Sequence, residues 1–397
     1  MNRSILLITA ALFIIPTAFI FGGLRAKRVL TIEPTEIKLV KAEYPRRLLF
    51  SPDSKRLLVN SEIYDVQANA KICELRPPFG GNAVWSPDGQ RIVSAFDTKP
   101  YFRQRSEFET PPPNVIKIRV WDSTSGSGLT SCPFGAEFKY AGIDNLSFTG
   151  DGQKLIAAGF PFQLLDARNG QPLQRFTPSD KKAEGQGVRG DLGPAENLIV
   201  WRYDKKQRLE VIDLKTNRPV WQSPMTEIGA LTLKWGRRNV LGLIQADLSQ
   251  KTIHLNLWDG NKRQLLPIVP IEGAFKFALN DQSDLVAVGH GEIDETRDQP
   301  FFNNRITLYD YRARKSLLSI AQPQMPDHLE WSPNGKYLLV QEGPAGLSKR
   351  LSVYNLSGQL VLTSREQGVA LATWSPDSKH IAAALLGGVR LLTLPEE

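Results

Sequence analysis

The sequence predicts an all-β protein: a β-propeller of four-stranded blades, eight by count with seven as the alternative, preceded by one transmembrane helix. Three observations carry this reading. A short phrase recurs at blade-sized intervals, no amphipathic helical periodicity occurs from about Glu36 onward, and one uncharged stretch near the amino terminus is long enough to span a bilayer.

The phrase reads Phe50-Ser51-Pro52-Asp53-Ser54, Trp85-Ser86-Pro87-Asp88-Gly89, Phe148-Thr149-Gly150-Asp151-Gly152, Trp331-Ser332-Pro333-Asn334-Gly335 and Trp374-Ser375-Pro376-Asp377-Ser378. Each copy sits between two short apolar runs, as the turn of a hairpin does, and a hairpin repeated about every 40–45 residues marks a propeller. The strand-turn-strand unit can be placed eight times, at about 44–75, 80–132, 138–176, 185–224, 228–268, 271–320, 326–364 and 371–394. Units four to six lack the phrase and align by their second half, an apolar strand ending in Asp before a turn. Examples are Val211-Ile212-Asp213 and Leu257-Trp258-Asp259, which match Leu164-Leu165-Asp166 of unit three. The last unit stops at Leu394 after three strands, while Glu36 to Lys41 has no hairpin of its own. Pairing the two closes the ring and removes two strand edges.

The organisation expected is therefore an anchor over 1–28, a linker over 29–35 and a propeller over 36–397. Ile5 to Gly23 carries no charge, and its nineteen residues make about 28 Å of helix, close to one hydrocarbon core. A cleaved secretory signal is the competing reading. The apolar run is long, no A-x-A motif ends it, and Arg25, Lys27 and Arg28 follow at once, so an uncleaved anchor is preferred. Lys38 and Lys41 add to the positive charge beyond the span, against Arg3 and the α-amine before it. That balance favours a cytoplasmic propeller, with a periplasmic or extracellular one as the alternative.

The Trp-Asp dipeptides Trp121-Asp122 and Trp258-Asp259, with the looser Tyr309-Asp310 and Tyr354-Asn355, resemble WD40-type repeats. The Ser-Pro-Asp-Gly phrase is similar to the TolB-like bacterial repeats. The resemblance covers nearly everything after the tether. The Gly-His dipeptide of WD40 repeats is missing from the start of the blades, so the His–Asp network of that family is not expected. No separate TolB-like amino-terminal domain precedes the repeats, and a TolB role is not inferred.

Little in the sequence points to chemistry. Asp65, Asp122, Asp166, Asp213, Asp259 and Asp310 recur once per unit before a turn, which suits turn capping rather than a carboxylate ring. His254, His290, His328 and His380 fall in four units without metal-ligand spacing; His290 with Glu292 and Asp294 reads as a solvated acidic loop. The two cysteines, Cys73 and Cys132, form no C-x-x-C pair. No G-x-S-x-G elbow occurs, and Asp213 to Trp221 is only a faint match to quinone-dependent dehydrogenase repeats. The net charge of +8 is spread over doublets such as Lys181-Lys182 and Arg237-Arg238, which does not suit a nucleic-acid groove. No catalytic residue, metal or cofactor is expected.

Two insertions give the sharper clue. Residues 97–114 in unit two and 291–304 in unit six each separate a second from a third strand, so both leave one face of the disc. They share a phrase, Pro100-Tyr101-Phe102-Arg103-Gln104-Arg105 and Pro300-Phe301-Phe302-Asn303-Asn304-Arg305. Aromatic and arginine side chains dominate binding hot spots. Tyr101, Phe102, Arg103, Arg105, Phe301, Phe302 and Arg305 are therefore the candidate partner-binding residues; a purely structural role, with the aromatics capping long hairpins, is the plain alternative. The sequence predicts a membrane-tethered, non-catalytic scaffold whose partner is a membrane-associated protein. The rival is a small-ligand sensor or enzyme using the central channel for a sugar, peptide or cation. It would need carboxylates or histidines converging on the innermost strands, which read LLF, AVW, LSF, LKW, FKF, LEW and ATW and show no concentration of them.

Overall fold

The computed structural model describes residues 35–37, 45–76, 82–97, 116–135, 142–176, 188–203, 208–216, 218–223, 228–247, 252–267, 271–293, 301–343, 350–364, 369–385 and 388–394. They form thirty-two strands, all paired antiparallel. The predicted span over residues 5–23 lies outside the described residues, among which no helix is long and apolar enough to cross a membrane.

Hydrogen bonding gathers the strands into seven sheets, six of four strands and one of eight. The large sheet is two four-strand units, 142–176 and 188–222, joined at the single bridge Gly159–Gly190. The innermost strands of units one to eight are Leu48–Phe50, Ala83–Trp85, Gly142–Phe148, Val188–Leu192, Ile228–Gly236, Ala274–Leu279, Pro326–Trp331 and Leu371–Trp374. Closure follows the sequence expectation. Thr35–Ile37 pairs with Gly388–Thr393 through Thr35–Leu391, Glu36–Arg390 and Ile37–Val389, supplying the fourth strand of the last unit.

Burial explains the strand patterns. Second and third strands such as Arg56–Val59 and Arg208–Asp213 are buried on both faces because each is packed between neighbouring units. Fourth strands such as Pro172–Phe176 face water and are mostly exposed. The core is accordingly a series of inter-unit seams. Leu57 and Val59 of unit one meet Ala382 and Val389 of unit eight, and Val240 and Leu257 of unit five meet Phe277 and Val286 of unit six. The aromatic residue of the repeated phrase reaches across the same seams. The Trp85 indole donates to Leu49 O at 3.1 Å, and that of Trp331 to Ala278 O at 3.0 Å.

The phrase works as expected of turn chemistry. Ser86 Oγ donates to Asp88 Oδ1 and accepts the Arg91 amide at 2.9 Å, while Asp88 Oδ1 takes the Gln90 amide at 3.0 Å. Its last position is left-handed in every copy: Ser54 at φ 61°, Gly89 at 68°, Gly152 at 68°, Gly335 at 72° and Ser378 at 63°. Units four and five keep that geometry without the phrase, using Glu196 at 55° and Asn239 at 60°. These turns are also tied to one another. The Asp377 amide donates to Ser54 Oγ at 3.0 Å, the Asn334 amide to Ser378 Oγ at 2.9 Å, and the Gly150 amide to Glu196 Oε1 at 2.8 Å.

Candidate functional site

The two faces of the disc differ. The turn face, where first strands meet second and third meet fourth, is closed by side-chain chemistry. Asp65, Asp122, Asp166, Asp213, Asp259 and Asp310 all cap their own turns; Asp122 Oδ1, for example, accepts the Thr124 amide at 3.0 Å and the Ser125 amide at 2.7 Å. A second oxygen is free to bridge units. Arg312 Nη1 donates to Asp259 Oδ2 at 2.7 Å, and Arg263 holds Asp213 in the same way. Arginine thus cross-links units four and five and units five and six on this face.

The opposite face carries the connections from second to third strands and from each unit to the next. Both insertions open there, one between Arg91–Asp97 and Ile116–Asp122, the other between Leu285–Ile293 and Phe301–Asp310. Tyr101, Phe102, Arg103 and Arg105 lie outside the described residues. Phe301 and Phe302, expected within the loop 291–304, stand instead on the third strand of unit six together with Arg305. Ile293 pairs with Phe301, Glu292 with Phe302 and His290 with Arg305. The hairpin runs on because the register slips between His290 and Glu292, with Asn303 opposite at φ 50°. Gly and polar residues that signal a loop are here a bulge inside a strand pair.

A pocket of about 460 Å3 lies at the base of this hairpin, walled by Phe302, Arg305, His290, Glu292, Glu272 and Thr252. His290 Nε2 is 2.8 Å from Thr307 Oγ1, whose hydroxyl donates to Ser319 Oγ at 3.3 Å; the imidazole therefore donates from Nε2 and keeps Nδ1 as an acceptor. Burial, aided by the Arg305 charge, lowers its pKa from the usual histidine value, so the ring is neutral at pH 7. Thr307 is 7% exposed, too enclosed to serve as a nucleophile for a substrate. Glu292 Oε1 accepts Asn303 Nδ2 at 2.9 Å. The pocket offers an aromatic wall, one guanidinium, carboxylates and a neutral imidazole, a set suited to gripping a polar chain.

A second pocket, of about 330 Å3, is walled by Asp144, Asp191, Arg202, Lys234 and Leu233 beside the innermost strands of units three to five. The sequence expectation that no carboxylates converge there is corrected. Val188–Leu192 (VRGDL) lacks the aromatic residue that each other innermost strand carries, so no sequence pattern marks Asp191 as part of one. On unit seven, His328 Nε2 lies 3.3 Å from Glu330 Oε2. Among the described residues no three metal-ligating side chains gather. Both thiols are free, and burial raises both pKa values.

No family model and no curated protein matches the chain. Solved structures do. The C-terminal WD40 domain of Sif2 superposes with a TM-score of 0.59 at 16% identity, over 92% of this chain and 99% of that one. A eukaryotic initiation factor gives 0.56 at 17%, over 87% and 83%. The β-propeller domain of Myceliophteria thermophila Cps50 (Swd1) gives 0.51 at 14%, over 90% and 98%. The fold is a WD40-type β-propeller. At such identities the likeness concerns architecture, and the function must be argued from the surface.

Proposed function

We propose that this propeller is a membrane-tethered, non-catalytic scaffold that docks a protein partner on the face carrying its two inserted connections. Proteins with this fold are mostly interaction scaffolds. The observation that carries the reading here is the unit-six hairpin, whose Phe302 and Arg305 wall a pocket shared with His290 and Glu292. Aromatic and arginine anchors beside a concave polar pocket are what interface hot spots are made of. The insertion of unit two stands four units away round the ring, so a partner spanning the disc would meet both.

The closing strand adds a direction. Thr35 pairs with Leu391, near the end of the third strand of its unit, so the chain enters the ring at its rim and from the turn face. A tether over residues 5–23, followed by eleven linker residues of about 40 Å at most, then leaves the insertion face turned away from the bilayer. The partner is a membrane-proximal protein approaching from that side.

The test is affinity capture of the full-length protein in mild detergent, beside F302A/R305A and a form lacking 98–115. A partner retained by the parent and lost from both variants supports the reading. Equal capture by all three forms rejects this face. Fractionation of the full chain against residues 35–397 tests the tether: both forms in the soluble fraction would remove it.

A further inference from the structure

Ionic pairing is the rule for the deeply placed carboxylates of this protein. Asp259 is held by Arg312 at 2.7 Å, Glu342 by Arg350 at 3.3 Å, and Asp213 by Arg263. Asp191 breaks the rule. Its Oδ1 accepts the Leu192 amide at 2.9 Å, and no cation among the described residues pairs with it. It is set deep among protein atoms, and the part of it that remains accessible faces the pocket between units three, four and five.

The surroundings are built rather than incidental. Gly159 and Gly190 form the one bridge between units three and four, and neither site has room for a side chain. A Cβ on Gly159 would lie 2.3 Å from Gly142 O, and one on Gly190 would lie 2.9 Å from the Trp201 ring. That close approach sets Asp191, next to Gly190, beside the innermost strand of unit three. There Asp144 is the residue skipped between the pairs Ile143–Gly159 and Asn145–Ala158, and a bulge re-aims its side chain. Asn82 of unit two fixes the bulge, donating from Nδ2 to Ile143 O at 3.0 Å and Asp144 O at 2.9 Å. The two carboxylates are near enough for the charge of Asp144 to act on Asp191. Arg202 and the exposed Lys234 line the same cavity, which makes it dipolar.

A calcium-type ion takes six to eight oxygens, and the described side chains offer no third metal ligand. A simple cation would meet Arg202 and Lys234 as well as the carboxylates. A ligand carrying both charges complements both signs of the lining, and about 330 Å3 holds an amino acid rather than a folded partner segment. We infer that the pocket formed by Asp144, Asp191, Arg202 and Lys234 binds a small zwitterion of the amino-acid type, its ammonium on the aspartates and its carboxylate on the bases. This site is lined by other residues than the unit-six pocket and does not depend on the docking proposal.

The experiment is thermal shift followed by titration calorimetry on the full-length protein. The probes are glycine, L-alanine, L-lysine and L-glutamate, with spermidine as a cation-only and glutarate as an anion-only control. Binding of at least one amino acid, weakened at least tenfold by Asp191→Asn and several-fold by Lys234→Ala, supports the inference. Should D191N fail to fold, Asp144→Asn takes its place with the same tenfold criterion. Spermidine or glutarate binding as tightly as the amino acids overturns it, as does binding indifferent to the aspartate variants. A panel in which no amino acid binds overturns it too.

Discussion

Single residues in this protein are placed by what they offer the next repeat as much as by their own turn. Ser54 holds a left-handed conformation at φ 61° that glycine would adopt freely, and its hydroxyl accepts the Asp377 amide at 3.0 Å across the closing seam. Ser54→Ala keeps the strain and loses the bond, so it is expected to cost about 1 kcal/mol. Ser54→Gly loses the bond but relieves strain of about 1 kcal/mol, so it should be near neutral. Thermal melting of both variants beside the parent checks this, and Ser54→Ala melting with the parent would show that the hydroxyl does not hold the seam. Asp191 allows a prediction with a definite sign. Burial chiefly, opposed by the Leu192 amide and aided by Asp144, raises its pKa from 3.8 to about 6. A carboxyl with a raised folded-state pKa contributes stability below pH 4 that is lost as pH rises to about 6, on the order of 2–3 kcal/mol in all. Asp144, Arg202 and Lys234 share the pocket, so the comparison is with Asp191→Asn at each pH. The variant should melt above the parent at pH 7, with the gap closing toward pH 4. A gap that stays constant with pH would mean that Asp191 is not the titrating group.

At the scale of elements, strands are matched to their neighbours in the next unit. Gly242, in the strand Val240–Asp247, has the Phe277 ring of unit six where a side chain would go; a Cβ there would lie 2.2 Å from Cε2. Gly242→Ala is expected to cost about 1–3 kcal/mol by overpacking that seam. Gly388→Ala, with nothing within 4 Å of its Cβ, is the control and should stay within about 0.5 kcal/mol. Equal effects in denaturant melts would show that the seam has slack. The same scale explains why some elements were legible and one was not. The Ser-Pro-Asp-Gly turns, such as Ser86 to Gly89, bond to their own backbone and so carry a local signature. The turn of unit four is built from Gly193 to Glu196, with the Glu196 amide donating to Gly193 O at 2.9 Å, and many residue types can do that.

For the whole molecule, closure joins the two ends of the chain. Thr35–Ile37 covers the edge of Gly388–Thr393, which otherwise presents unpaired backbone groups. A chain of residues 45–397 is expected to melt lower than one of 35–397 and to self-associate through the uncovered edge. Light scattering after size exclusion checks this, and identical melting with monomeric behaviour would show that the closing strand bears no load. A ring of hydrogen-bonded turns on one face and connections on the other divides the disc into a structural side and a side available for binding. That division underlies the proposed docking surface.

The sequence by itself determined the repeat, the turn chemistry, the run of strands in each unit and the need for an amino-terminal strand to finish the last one. All of these rest on contacts within a few residues of one another or on alternation along a strand, and both leave a periodic trace. Tertiary structure alone decided that Phe302 and Arg305 stand on a strand at the mouth of a pocket, because pairing across a bulge at Gly291 depends on the partner strand. It alone decided that Asp144 and Asp191, in different repeats, share a cavity. Two glycines and a bulge bring them together, and no local pattern records a meeting that only ring packing creates.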